Sequence, residues 1–140
     1  MRLDPYLNFS GNAREALQFY NSVFGGELYV ISFRDFGGAG QPEAEQDGVM
    51  HGSVTLPNGD VLMASDVPSS MGGVTKGNGT AIMVSVESVE EAERIFRGLS
   101  AGGNVGTQLG ETDFAERYGY LTDRFGIDWM VYFGGNKLQS

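Results

Sequence analysis

The chain has 140 residues, 41% of them apolar and 19% charged, which is the length and composition of one folded domain and not of a disordered segment. A formal charge of −9 without any Lys/Arg cluster disfavours nucleic acid and acidic membrane surfaces as partners, and the lack of cysteine removes disulfides, thiolate metal sites and cysteine nucleophiles together. No apolar run reaches the roughly 20 residues of a membrane helix, and Met1-Arg2-Leu3-Asp4-Pro5 lacks an apolar leader core, so a cytoplasmic location is expected.

Residues 3–9 read as a first strand. A helix follows, because Ala13, Ala16, Leu17, Tyr20, Val23 and Phe24 fall on one stripe of period 3.6. Asn12 stands at the N-cap, with Glu15 placed to complete a capping box, and Gly25-Gly26 ends the helix in a left-handed turn. Residues 27–36 form the next strand. A Gly- and Ala-rich segment, 37–46, leads to a hairpin of strands 49–56 and 60–66 around Pro57-Asn58-Gly59. The Gly- and Ser-rich stretch 67–79 is a linker. Strand 80–86 opens a second set, and a helix with Ser88 and Glu91 as capping box follows. Its stripe is Val89, Ala92, Ile95, Phe96 and Leu99, and Gly102-Gly103 closes it. Strand 105–110 and a hairpin of 118–123 and 127–133 around Arg124-Phe125-Gly126 complete the pattern, before a tail at 134–140.

The two halves match. A shift of 76 residues carries Asn12 to Ser88, Glu15 to Glu91, Ala16 to Ala92, Tyr20 to Phe96 and Gly26 to Gly102. In the hairpins the shift is 67, carrying Thr55 to Thr122, Gly59 to Gly126 and Met63 to Met130, so the first half holds about nine extra residues, assigned to 37–46. The expected organisation is α+β: one domain of two tandem βαβββ modules, 1–66 and 80–133.

The segment Pro5-Tyr6-Leu7-Asn8-Phe9-Ser10-Gly11-Asn12, with Glu15-Ala16 and Phe19-Tyr20 downstream, resembles the PhnB-like branch of the vicinal oxygen chelate superfamily (glyoxalase, bleomycin-resistance and dioxygenase proteins). So do Phe24-Gly25-Gly26-Glu27-Leu28, Met63-Ala64-Ser65-Asp66, and Thr122-Asp123-Arg124-Phe125-Gly126 ahead of Trp129. The resemblance spans the whole chain. It implies that each module is a half-barrel sheet with its helix outside and a cavity inside, and that the protein is a homodimer. Its relatives range from glyoxalase I, extradiol dioxygenases and fosfomycin-resistance transferases to metal-free bleomycin binders, so the fold does not choose a reaction.

Strand alternation assigns the faces. Leu7 and Phe9 belong to the helix side of the first strand, and Tyr6 and Asn8 to the cavity side. Proline suits the first position of a type I turn and glycine the left-handed position after it, so the first hairpin has a three-residue loop. That register sets His51 across from Ser65, and gives His51, Ser53, Thr55, Val61, Met63 and Ser65 to the cavity. Asp66 then points to the helix layer. In the second module Met83, Ser85, Tyr118, Tyr120, Thr122, Asp128, Met130 and Tyr132 face inward, while Leu121, Trp129, Val131 and Phe133 pack outward. The candidate ligand-binding residues are Tyr6, Asn8, His51, Ser53, Met63, Ser65, Met83, Ser85, Tyr118, Tyr120, Met130 and Tyr132.

In metal-using relatives the ligands would align with Met63, Met130, Ala81 and a position near Asp4, which is no donor set for a hard divalent ion. No cofactor is expected, and no metal at those positions. His51 is the only histidine and the candidate catalytic residue. As a functional group it could hold an anionic substrate, act as a general base, or ligate a metal with Asp66 or Glu45. As a structural group it would be hydrogen-bonded to Ser65 or a backbone carbonyl. Gly37-Gly38-Ala39-Gly40 and Gly72-Gly73 lack the strand–helix setting of a phosphate cradle, and Gly52-Ser53-Val54 is no nucleophile elbow. Three function classes are compatible with these residues: a binder of a small organic molecule, an enzyme dependent on His51 or a metal, and a scaffold subunit of a larger assembly.

Overall fold

The computed structural model describes residues 1–38 and 40–137; Ala39 of the predicted insertion and residues 138–140 of the predicted tail lie outside them. The chain divides into two units, Met1–Thr75 and Lys76–Ser140. In the first, β1 (Tyr6–Phe9), α1 (Ala13–Phe24), β2 (Glu27–Ser32), β3 (Val49–Thr55) and β4 (Val61–Asp66) build a sheet of order β1-β4-β3-β2. The second unit repeats the plan with β5 (Ile82–Ser85), α2 (Val89–Ser100), β6 (Asn104–Gly110), β7 (Arg117–Thr122) and β8 (Asp128–Phe133), in the order β5-β8-β7-β6. β1 pairs with β4, and β5 with β8, in parallel; the other pairs are antiparallel. Both helices are 12 residues long and start 76 residues apart, as the duplication requires.

One sheet face carries the core. Phe9, Leu17, Tyr20, Val49 and Val54 are fully buried between α1 and its sheet, and Leu99, Leu121, Trp129 and Val131 play the same part with α2. Each large apolar side chain buried this way contributes roughly 1.5–3 kcal/mol. Among the described residues, the other face of each sheet has no α-helix of its own unit on it. Both hairpins have the three-residue loop. Thr55 pairs with Val61 and Thr122 with Asp128, and Gly59 and Gly126 take φ of +94° and +86°.

Several local expectations are corrected. Asn12 does not cap α1 with its side chain, so the predicted box with Glu15 does not form. Its place is taken by Asp66 at the end of β4, whose Oδ1 accepts from the Gly11 and Ala13 amides at 2.8 and 3.0 Å and whose Oδ2 accepts from the Val49 amide at 2.8 Å. A buried carboxylate is the stronger acceptor, and it lies at the positive end of the helix dipole. In α2 the Ser88 hydroxyl does accept from the Glu91 amide at 3.0 Å, but the Glu91 carboxylate reaches the amide of Glu87 instead of Ser88.

The first strand begins at Tyr6 instead of residue 3, since Pro5 has no N–H to extend the ladder, although its carbonyl accepts from Met63. β2 stops at Ser32, four residues short of the predicted end. There the Ser32 amide donates to Asp35 at 2.9 Å while the Asp35 amide donates to the Ser32 hydroxyl at 3.1 Å, and these local bonds turn the chain into a 3₁₀ turn over Arg34–Phe36. Hydrogen bonds from the Ser32 amide and, next, the Ser32 hydroxyl to the Asp35 carboxyl hold it below its ordinary value. The extra segment of the first module is a closed loop, tied by Arg34 to Glu43 at 3.0 Å and to Asp47 at 2.9 Å.

Candidate functional site

The helix-free face of the first sheet collects the predicted residues by register. Tyr6 aligns with Met63, Met63 with Ser53 and Ser53 with Tyr29; one step along, Asn8 aligns with Ser65, and His51 with Ile31. Neighbours across a ladder share a face, so these side chains form two rows. Tyr6 spans them, its hydroxyl 3.1 Å from His51 Nδ1 and its ring centroid 5.7 Å from the imidazole. When His51 is neutral and accepts the phenolic proton at Nδ1, its Nε2 carries the remaining hydrogen and is the donor left for a bound molecule.

His51 is thus joined to Tyr6, and not to Ser65 or a carbonyl as one reading expected. Its proposed metal partners are committed elsewhere. Asp66 lies 7% exposed on the helix side, held by three amides. Glu45 accepts from the Ser69 hydroxyl at 2.6 Å and the Ser69 amide at 2.9 Å, which lowers its pKa. Two further members of the face, Tyr29 and Ile31, were missed in sequence. The alternation Glu27-Tyr29-Ile31 across from Thr55, Ser53 and His51 was the signal for them.

The second sheet has its own face. Met83 aligns with Met130 and Met130 with Tyr120; Ser85 aligns with Tyr132 and Tyr132 with Tyr118; Thr122 faces Asp128. The Thr122 hydroxyl donates to Asp128 Oδ1 at 2.6 Å. Burial first, and then the neighbouring Asp128 charge and a hydrogen bond to it, raise the Tyr120 pKa above its ordinary value, so this phenol stays neutral. Phe114, which no periodicity marked, packs edge-on to Tyr118 with centroids 5.3 Å apart.

A cleft of about 500 Å³ lies off these faces, at the start of α1, among Ser10, Arg14, Phe33, Glu45, Asp66 and Pro68. Its buried carboxylate is saturated by backbone amides, Glu45 is tied to Ser69, and Arg14 donates to the Asp47 carbonyl at 3.2 Å. Those bonds hold the loops together and leave few groups aimed at a ligand. The open faces, with half-exposed His51, Ser53, Met63 and Ser65, are the better candidates.

The metal position of the superfamily does not fit here. Met63 and Met130 offer thioethers, Ala81 offers no donor, and Asp4 is paired with Arg2 at 2.8 Å. Among the described residues no group of three or more His, Cys, Asp or Glu is placed to hold a metal ion. Among the described residues no helix is long and apolar enough to cross a membrane.

Comparison with known proteins adds the ancestry. The profile of the family described as 3-demethylubiquinone-9 3-methyltransferase matches residues 2–132. The chain is 33% identical over 141 residues to Protein YjdN of Escherichia coli K12, covering 94% of each. It is similar to the crystal structure of protein PA1353 from Pseudomonas aeruginosa, with TM-score 0.83 and 37% identity over 95% of this chain and 97% of that one. A PhnB protein from Bacillus cereus superimposes with TM-score 0.71 and 25% identity, over 95% and 99%. The family's description implies a methyl-donor cofactor, and the residues do not fit a nucleoside cradle. Neither strand-to-helix turn is a glycine-rich loop, and the first amides of the helices are taken by Asp66 and by the Ser88 side chain. By fold, by profile and by whole-chain identity, the chain belongs to this family, the PhnB-like branch of the vicinal oxygen chelate superfamily.

Proposed function

We propose that this protein binds a small organic molecule on the helix-free faces of its sheets, with His51 as the polar anchor of the first. The observation that carries the reading is the Tyr6–His51 contact of 3.1 Å, set over apolar and hydroxyl side chains on a face no helix of that unit covers. A mostly apolar surface with a few convergent polar groups is the usual make-up of a ligand site. A ligand carrying a carboxylate can accept the hydrogen bond that His51 Nε2 offers.

Ligand-observed NMR with a panel of organic acids tests this. His51→Ala is expected to weaken binding about tenfold, the equivalent of about 1.4 kcal/mol, while leaving the circular dichroism unchanged. Tyr6→Phe should cost roughly 0.5–1 kcal/mol of affinity, since the ring stays and one exposed hydrogen bond goes. Unchanged affinity in His51→Ala would sink the reading. A second reading, an enzyme with His51 as general base, draws on the same contact in the other tautomer, in which Nδ1–H donates to the Tyr6 hydroxyl and Nε2 is left unprotonated to act as the base. Turnover of a bound acid by the wild-type chain and its loss in His51→Ala separate the two.

The homodimer belongs to this proposal. Each sheet ends in edge strands, β2 and β6 among them, and Tyr29, Leu28, Met83 and Val105 are exposed. Pairing of two copies is the common way to cover such surfaces. Sedimentation is expected to show a dimer at micromolar concentration; a concentration-independent monomer would overturn it.

A further inference from the structure

The helix-free face of Lys76–Ser140 differs in chemistry from its counterpart in Met1–Thr75. Tyr118 and Tyr132 are direct cross-strand partners, Tyr120 stands next along β7, and Phe114 buttresses Tyr118. Opposed side chains on one face have Cβ atoms about 5 Å apart, and diagonal ones about 7 Å, so the phenol rings share one patch. The Tyr132 hydroxyl reaches the Phe114 carbonyl at 3.4 Å, which turns that ring towards Phe114 and Tyr118. Met83 and Met130 extend the surface with polarisable thioethers. At the end of the same face stands the Asp128 carboxylate, bonded to Thr122 and Tyr120.

The charges are one-sided. The face positions of β5, β7 and β8 hold no Lys, Arg or His. The basic residue beside them, Arg117, lies on the alternate face of β7, and its guanidinium donates to the Glu116 carbonyl at 2.6 Å. Among the described residues Asp128 has no ion-pair partner. Its two neutral hydroxyl neighbours orient the carboxylate without cancelling its charge. The faces of the aromatic rings carry negative potential and attract a cation within about 6 Å of the centroid. An overall charge of −9 adds a long-range pull in the same direction. One carboxylate with hydroxyls is too few donors for a bound divalent metal, which needs about six oxygens. An alkylated ammonium fits instead, since its methyl groups want rings and thioethers while its charge wants the carboxylate.

We propose that this face is a binding site for an organic ammonium ion, with Tyr120 as the ring beside the Asp128 counter-charge and Tyr118 and Tyr132 continuing the aromatic wall along the strands. The proposal rests on the reading that the sheet faces bind organic molecules, and adds a charge class for the second one.

Choline and its neutral isostere 3,3-dimethylbutan-1-ol, titrated into the full chain at low salt and followed by saturation-transfer NMR, test it. The wild-type chain is expected to bind choline at least about tenfold more tightly than the alcohol, the scale of a desolvated cation–aromatic contact with a counter-charge. Asp128→Asn should bring the two within about twofold, and Tyr120→Leu should weaken choline about tenfold where Tyr120→Phe, which keeps the ring, does not. If Asp128→Asn does not fold, the choline-to-alcohol ratio and the Tyr120 pair decide. Equal affinity for both probes, or choline binding lost in His51→Ala and kept in Asp128→Asn, overturns the proposal. So does choline that fails to bind; if organic acids still bind through His51 in that case, the reading of the first face stands, and if no organic compound binds, both fall.

Discussion

Asp66→Ala is expected to destabilise the protein by about 3–5 kcal/mol, a large share of the 5–15 kcal/mol that holds an ordinary domain together. The carboxylate is 7% exposed and accepts from the amides of Gly11, Ala13 and Val49 at 2.8–3.0 Å. Hydrogen bonds to a charged group contribute about 1.5–3 kcal/mol each, and a methyl in its place leaves three donors without an acceptor. Water entering the gap recovers part of that, so the loss is smaller than the sum. Asn12→Ala is the matched control. Asn12 occupies the N-cap but its side chain makes no capping bond, so its replacement should shift stability by no more than about 0.5 kcal/mol. Asp66→Asn should fall between the two, because one amide oxygen survives while the NH₂ group faces an N–H donor. Urea unfolding midpoints measure all three. If Asp66→Ala moves the midpoint no further than Asn12→Ala, the carboxylate is not the cap.

Gly52→Val and Gly119→Val are expected to cost about 3 kcal/mol each, or to prevent folding, although valine has the higher strand propensity. Gly52 in β3 lies under α1, where a Cβ would overlap Leu17 Cδ1. Gly119 in β7 lies under α2, where a Cβ would come within 2.5 Å of Phe96 Cε2 and 3.1 Å of the Leu109 backbone. The two positions are 67 residues apart, the hairpin shift of the duplication, so each module uses a glycine to seat its helix on the sheet. Alanine should cost less, about 1–2 kcal/mol, because the ends of Leu17 and Phe96 can move. Thermal unfolding of the four variants reads the series. A Val variant as stable as the wild type would show that the helices are not seated on these glycines.

The two glycines also mark where sequence reading stops. Gly52-Ser53-Val54 was read only as a failed nucleophile elbow, because a glycine inside a strand has no local signature of what lies above it. Asp66 is the same case. Its face was legible from the alternation of β4, but its partners at Gly11 and Ala13 lie more than 50 residues away in the chain. Ser32 and Asp35, three residues apart, exchange two bonds that end β2 early, and competition between such bonds and a sheet ladder depends on whether β3 still has a partner to offer.

What the amino-acid sequence determined by itself is what periodicity and turn chemistry encode. Both helices, the duplication, the three-residue hairpin loops and the split of each strand into two faces follow from spacings of 3.6 and 2 and from glycines at left-handed positions. Face assignment in turn grouped His51 with Ser53, Met63 and Ser65, while the unsuitable donor set at the superfamily's metal position is what the family resemblance implied. Only the tertiary structure decided which side chains meet. Tyr6 reaches His51 because β1 docks parallel to β4 in one register, and Asp66 caps α1 because β4 ends beneath the first turn of that helix. Such contacts are settled by strand register and helix seating over long separations, and no local pattern of residues carries that information.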